Sequence, residues 1–423
     1  MSQPLQSNYD AIMIGGGPAG TSTAAVLASH GHRVLVIERD RFPRYRIGES
    51  LIPFTYQPLE RIGMIPKMRA SSFVKKYSVS FVQPDGKRSQ PFYFHTRYDK
   101  ETVAQTWQVT RAEFDQMMMD NAREKGAEVV EGTTVTRLLT ENDATVGVEI
   151  KSPDGTLSEV RARITVDCSG KEAFTSTRNS WRVRDPFLNK VAVWTYYEGS
   201  KRECGLDEGA TTIAFVPEKG WFWHIPQHND RVSVGIVAEG KYLTRDGVRD
   251  LKAIFDREVL QNEWIREHLA EGQQVGDYFI TSEYSHHSKY CAAPGLLLAG
   301  DAFAFLDPVF SSGVMLALKS GVLAADLIHQ GLEANDLSPA RFEPYGQAMR
   351  QGVENMRKLV YAFYNPDFSF KDVVMKYPEA SGELTDCLSG DVNKDFSALW
   401  SKISEFVPLP DELPYGKPMP MAA

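Results

Sequence analysis

Four short runs in this chain of 423 residues hold residue types that could do chemistry. GGGPAG, at 15–20, follows the apolar run DAIMI and precedes the small-residue run TSTAAVLASHG. Glycines there let the backbone turn tightly and approach a phosphate closely, and the helix that follows offers its N–H groups to an anion. GWFWHIP, at 220–226, spends two of the seven tryptophans two residues apart. On a strand both indoles face one side, where they are core filling or the wall of a passage. FLDPVFSSG, at 305–313, ends in a Ser-Ser-Gly that can open a helix, cap it, and leave room for a small anion beside bare N–H groups. KKYSVSF offers Lys75 and Lys76 before a strand pattern, where a lysine pair by itself reads as solvated.

Elements must hold these residues in place. The residues from Asp10 to Ile14 read as a buried strand, the run after Gly20 as a helix, and HRVLVIE as a second strand ending at Glu38. The GxGxxG therefore sits in its strand–turn–helix context: Gly15 for the turn, Gly17 for the pyrophosphate, Gly20 for helix packing. Glu38, eighteen residues past Gly20, can accept from a ribose hydroxyl, which favours FAD or NAD over NADP. A single fingerprint serves one tightly held dinucleotide. Asp301 follows the apolar strand GLLLA, where open α/β sheets put ligand contacts. VSFVQPDGKRSQPFYF and TVGVEIKSPDGTLSEVRARITVD each read as a hairpin around Pro-Asp-Gly. Residues from about 175 to 285 alternate aromatic and β-branched runs and read as a sheet. After Asp336 the pattern turns helical and ends in a proline-rich tail expected to lie extended on the surface.

The fold class is α/β, with a Rossmann-like domain, a β-sheet substrate domain and a C-terminal helical segment. The expected division is 1–75, 100–174 and 286–335 for the dinucleotide domain, 76–99 and 175–285 for the substrate sheet, and 336–423 for the helical region and tail.

Bulk composition excludes several classes. A net charge of −8 argues against a nucleic-acid binder. The four cysteines lack CxxC spacing, so neither a zinc site nor a disulfide framework is expected, and no metal ligand is assigned. The amino terminus has no signal-peptide pattern. The most apolar long segment, DAFAFLDPVFSSGVMLALKSGVLAADLI, is interrupted by charges and a proline and does not span a membrane. A cytoplasmic protein is expected.

FPRYRIGESLIP, LLLAGDAFAFLDP, WQVTRAEFDQMM and ITVDCSG, taken in order, resemble segments of the FAD family of aromatic hydroxylases, geranylgeranyl reductases and flavin-dependent halogenases. The likeness runs from about residue 9 to about 330. It implies FAD as cofactor, held by Gly15, Gly17, Pro18, Ala19, Gly20, Glu38, Arg39, Arg46, Ser50, Arg111, Gly300 and Asp301. Within that family the chain resembles the halogenases of phenols and pyrroles. Trp221, Trp223, Ile225 and Pro226 match their WxWxIP, and Phe305, Pro308, Ser311 and Gly313 match FxxPxxSxG.

The resemblance implies that the backbone at Ser312 and Gly313 binds halide, that Trp221, Trp223, Phe305, Pro308 and Phe310 line the passage and substrate side, and that one lysine presents hypohalous acid to an aromatic ring. Lys76 is chosen over Lys75, since it directly precedes an aromatic and a small residue. Two departures stand out. Phe310 occupies the position where tryptophan halogenases carry a glutamate base, which turns the expectation toward a phenol or pyrrole. ValGlnPro replaces the Trp-Gly that commonly follows the lysine's strand. A separate NAD(P)H-dependent flavin reductase, halide, and a small aromatic substrate, free or tethered to a carrier protein, are the implied partners. The alternatives are an FAD-dependent reductase or monooxygenase, and a non-catalytic carrier-interacting flavoprotein using the basic cluster Lys67, Arg69, Lys75 and Lys76.

Overall fold

The computed structural model describes residues 8–99, 102–217 and 220–420. Most of the amino terminus read for a signal peptide, residues 1–7, lies outside the described residues, as do the last three residues of the tail. Among the described residues no helix is long and apolar enough to cross a membrane.

The first sheet is built on five parallel strands, in the order Leu296–Leu298, Leu157–Asp167, Asn8–Ile14, Val34–Glu38 and Glu128–Glu131. Val34–Glu38 is buried along its whole length, as expected of a parallel strand covered on both faces. Thr134–Glu141 and Ala144–Lys151 run antiparallel off the early half of Leu157–Asp167. The helix Pro18–Ser29 covers one face and is buried from Ala19 to Ala28, because it also meets the long helix Gly313–Ala334. That meeting is close: a Cβ on Gly321 would come within 2.1 Å of Ser22 Oγ.

The second sheet has eight strands, ordered Ala304–Phe305, Gln273–Ser288, Arg182–Glu198, Arg231–Glu239, Gly220–Pro226, Thr211–Val216, Ser78–Val82 and Phe92–Tyr93. Ala304–Phe305 belongs to a stretch expected with the dinucleotide domain, yet it pairs with Gln273–Ser288. The span read as continuous sheet also contains two helices, Leu251–Val259 and Glu263–Leu269. Ile254, Phe255, Trp264 and Ile265 pack on the outer face against Phe222, Val234 and Ile236. A third, two-stranded ribbon pairs Val74–Lys76 with Thr106–Gln108. Both Pro-Asp-Gly hairpins form, with Ser78 and Val79 opposite Tyr93 and Phe92, and Leu157–Arg161 opposite Gly147–Lys151.

The carboxy-terminal tail lies extended along the surface, as expected, and is also fastened there. Gly416 N donates to Lys289 O (3.1 Å), Cys291 N to Lys417 O (3.1 Å) and Met419 N to Ala292 O (2.8 Å). Tyr415 is buried, stacked 4.3 Å from the His287 ring. Backbone pairing and one buried aromatic ring hold it where composition alone suggested only exposure.

Candidate active site

The glycine-rich turn opens on a cavity of about 700 Å³, and each of its three fingerprint glycines has a steric reason. Gly15 takes φ +106°, and a Cβ there would lie 2.5 Å from Cys168 O. A Cβ on Gly20 would lie 2.0 Å from Gly15 O, in the helix–strand seam. Gly17 is different: its Cβ would find only Arg44 Nη2, at 3.8 Å, and would otherwise stand in the cavity. Pro18 and Ala19 begin the helix at the cavity wall. Glu38 accepts from Gly16 N (2.8 Å) and Asp40 N (2.9 Å), which fixes its carboxylate at the strand end.

Arginines surround the same space. Arg39 pairs with Glu172, Arg46 with Asp40 at 2.7 Å, and Arg44 with Asp115 at 2.9 Å. Arg111, buried at the start of its helix, grips Asp115 through two bonds and donates to Ile47 O at 2.8 Å, so it braces the loop that carries Gly48, Glu49 and Ser50. At the far side Gly300, at φ +62°, sits where a Cβ would be 2.9 Å from Ala19 Cβ. Asp301 faces the cavity, and burial pushes its pKa up to about 6 against the pull of Arg111 and Lys171. These residues form a long, polar-ended cradle whose donors and open glycine face suit a dinucleotide.

Trp221, Trp223 and Ile225 line the opposite end of the cavity, while Phe222 of the same strand turns to the outer helices. Trp221 Nε1 donates to Tyr364 (3.0 Å), whose hydroxyl donates to Asp307 (3.0 Å); Trp223 Nε1 donates to Ser233 (3.0 Å). A Cβ on Gly235 would come within 2.3 Å of the Trp223 ring, so that strand position must be glycine for the indole to fit. Phe305 and Pro308 line this larger cavity too. Beside them the helix Gly313–Ala334 begins. Ser312 is its N-cap, but its hydroxyl makes no capping bond, contrary to the capping expected of it. A Cβ on Gly313 would meet nothing within 4 Å. Gly313, the first residue of that helix, lines the larger cavity, and a helix N-terminus is an arrangement that suits a small anion.

A second cavity of about 390 Å³ adjoins the first, and Thr211, Ile213, Val309 and Ser311 line both. The indoles face only the larger one, so this four-residue wall, rather than the tryptophan pair, divides the two. Lys76 lies at the wall. It is 1% exposed, and its Nζ donates to Ser50 Oγ (2.8 Å) and Leu51 O (3.1 Å). Ser50 in turn bonds Thr211 (2.8 Å) and lines the larger cavity. Burial without a carboxylate partner lowers the Lys76 pKa to about 7. Lys75, the next residue on the ribbon, is exposed. Phe310 lines the smaller cavity, edge-on to Phe363 at 5.5 Å. Among the described residues no aspartate or glutamate lines that cavity, and its charged members are Lys76 and Lys371.

Several site residues went unnoticed in the sequence. Val374, Leu384 and Leu388, from helices near the carboxy terminus, close the smaller cavity, and their only signal was the aromatic run that precedes them. Glu49 was quoted without a role. It lines the larger cavity, accepts from Tyr196 OH (2.7 Å), and has its pKa raised by burial. Tyr196 in turn accepts from the hydroxyl of Tyr45 (3.0 Å), a half-exposed ring, so a hydrogen-bonded path links solvent to a buried carboxyl.

A dinucleotide cradle adjoins, across a thin wall, a largely apolar pocket with a buried lysine at its edge. Comparison with known proteins supplies the rest. The tryptophan halogenase family profile matches residues 10–100 and 87–404. A 1H-pyrrole-2-carbonyl-[peptidyl-carrier protein] brominase of Pseudoalteromonas luteoviolacea is 32% identical, over 90% of this chain and 92% of its own. The corresponding chlorinase of Pseudomonas fluorescens is 28% identical, over 91% and 90%. The solved structure of the flavin-dependent brominase Bmp2 superposes with a TM-score of 0.84 at 27% identity, covering 94% of this chain and 97% of that one. The chain belongs to the tryptophan halogenase family and is a flavin-dependent halogenase; its cofactor is FAD. That membership decides against the reductase or monooxygenase and non-catalytic alternatives.

Proposed function

We propose that this halogenase acts on an electron-rich ring of the pyrrole type carried on a carrier protein, with Lys76 presenting the halogen. The observation that carries the reading is the Lys76 amine, buried at the wall between the two cavities and bonded to Ser50 on the flavin side. The first sheet then serves as the FAD domain and the second as the substrate domain. The glycine turn, Glu38, Arg39, Arg46, Arg111, Gly300 and Asp301 hold FAD, and the N–H groups at Ser312 and Gly313 hold halide. Reduced FAD, with oxygen and halide, supplies hypohalous acid when bound.

The chain's own part begins there. Trp221 and Trp223 narrow the larger cavity from within, and Thr211, Ile213, Val309 and Ser311, the wall between the cavities, pass only something small. A pKa of about 7 leaves much of Lys76 neutral, able to bind the acid by hydrogen bond or as a haloamine. The ring lies in the smaller cavity against Phe310. Since among the described residues no carboxylate lines that cavity to remove the ring proton, a ring that loses it readily is favoured. The two relatives named for pyrrole-2-carbonyl carrier substrates agree with this chemistry. Gln90, Lys371 and Ser381, the exposed members of the lining, mark the mouth through which a tethered ring enters. A separate NAD(P)H-dependent flavin reductase supplies reduced FAD. Cytoplasmic operation fits the four unpaired cysteines.

The test uses mass spectrometry of assays with a flavin reductase, bromide, and pyrroles and phenols, free and carrier-bound. Lys76→Ala is expected to bind FAD and consume oxygen while halogenated product disappears, because the reagent is no longer held over the ring. Lys76→Arg fails equally, since a guanidinium does not give up its proton. Lys75→Ala remains active. Normal halogenation by Lys76→Ala overturns the lysine assignment, and better turnover of free than of carrier-bound pyrroles overturns the tethered substrate.

A further inference from the structure

Far from both cavities, three potential metal ligands converge from distant parts of the chain. His329 and Glu333 lie four residues apart, on one face of the helix Gly313–Ala334. His32 reaches them from the loop between the helix Pro18–Ser29 and the strand Val34–Glu38. The ligand atoms of the three lie within 4.8 Å of one another, and His32 Nε2 is 2.9 Å from His329 Nδ1. Donors on a tetrahedral zinc ion stand about 3.3 Å apart, as bond lengths of about 2.0–2.2 Å require. A small side-chain adjustment, chiefly of the exposed Glu333, bridges the difference.

We propose that His32, His329 and Glu333 bind one divalent ion of the zinc class, stapling the loop after the first helix to the carboxy-terminal end of the long helix. Two imidazoles and one carboxylate are a zinc-type donor set with a fourth position left for water. The two imidazoles are half-buried, so their positions are set by packing. His30 stacks flat on His329 at 3.8 Å and stays outside the trio.

The ion's role follows from its place. His329 is sixteen residues from Gly313, about 24 Å along the helix axis, so the ion takes no part in chemistry at the cavities. It joins the far ends of two helices whose near ends carry Gly17 and Gly313. Those helices are already locked midway by Thr23 Oγ1 donating to Gly321 O at 3.1 Å. A clamp at the free ends holds the two N-termini at a fixed distance. This inference does not depend on the substrate reading above.

The test uses FAD-loaded protein treated with a chelator, dialysed, and titrated with zinc ions in a calorimeter. The wild type is expected to take up one equivalent and to gain melting temperature with added zinc. His32→Gln with His329→Gln loses the uptake and the gain. Glu333→Gln, at an exposed position the fold tolerates, weakens binding by about tenfold or more. Cobalt in place of zinc gives a d–d spectrum of nitrogen and oxygen ligation in the wild type, and none in the double variant. No uptake by the wild type, or equal uptake by the double variant, overturns the proposal.

Discussion

Lys76 shows how much one residue's surroundings decide. The same ammonium that costs nothing on the exposed Lys75 is, one residue on, enclosed by Ser50, Leu51 and the Phe94 ring with no carboxylate to balance it. Its pKa falls to about 7, while the unfolded chain keeps the ordinary value near 10.5. Between those values the unfolded state binds more protons, so stability must rise with pH there. Below about pH 7 both states are protonated and the slope vanishes. Urea unfolding of wild type and Lys76→Met across this range isolates the effect. The wild type is expected to gain on the variant by up to about 1.4 kcal/mol per pH unit as pH rises from about 7 to about 10. At pH 7 and below, the variant is the more stable, since it buries no charge. A pH-independent difference would mean that the amine is solvated.

At the scale of elements, the long helix Gly313–Ala334 does two jobs with its first turn: it starts a 22-residue helix and it faces the larger cavity. The two can be separated. Gly313 has an unstrained φ and open space at its Cβ, so Gly313→Val is tolerated at that atom, and valine is no worse a helix former than the glycine it replaces. FAD affinity, followed by flavin fluorescence, is expected to stay unchanged. The Michaelis constant for bromide is expected to rise about tenfold, the equivalent of about 1.4 kcal/mol. Parallel loss of FAD would make the position purely structural. Elements with a local signature were the readable ones: the strand–turn–helix around Gly15–Gly20, both hairpins, and the long helix after Ser312. Leu251–Val259 and Glu263–Leu269 are not legible as helices, because each is short and the runs around them alternate like strands. Their partners, Phe222 and Ile236, lie on strands that no local pattern ties to them.

Across the whole molecule, the smaller cavity is the least legible feature. It draws Lys76 and Phe92 from near the amino terminus, Ile213 from the middle, Phe310 from the turn before the long helix, and Val374 and Leu384 from the carboxy-terminal helices. No local window contains that assembly. The residues after 336 read only as helices and a tail, yet they form one side of the pocket. If the ring lies in this cavity, as proposed, the carboxy-terminal region shapes the space it occupies. Val374→Trp is expected to fill much of the 390 Å³ and raise the Michaelis constant for the aromatic compound severalfold. Oxygen consumption with reduced FAD should be unaffected. A variant that also slows oxygen consumption would show that the two cavities are not independent.

The docked tail has a consequence for how copies of this protein behave toward each other. An open sheet ends in unpaired amides and carbonyls that invite a strand from another molecule. Here Cys291 N and Ala292 O, beside the short strand Ala292–Ala293, are taken by Lys417 and Met419 of the same chain. The opposite rim, Glu128–Glu131, spells Glu-Val-Val-Glu, and its end carboxylates are engaged by Tyr9 and Arg123. One rim is covered and the other is charged, so neither offers a bare template for intermolecular β-pairing. A clipped tail would leave the first rim open, and the cost would be paid in colloidal stability before it was felt in catalysis.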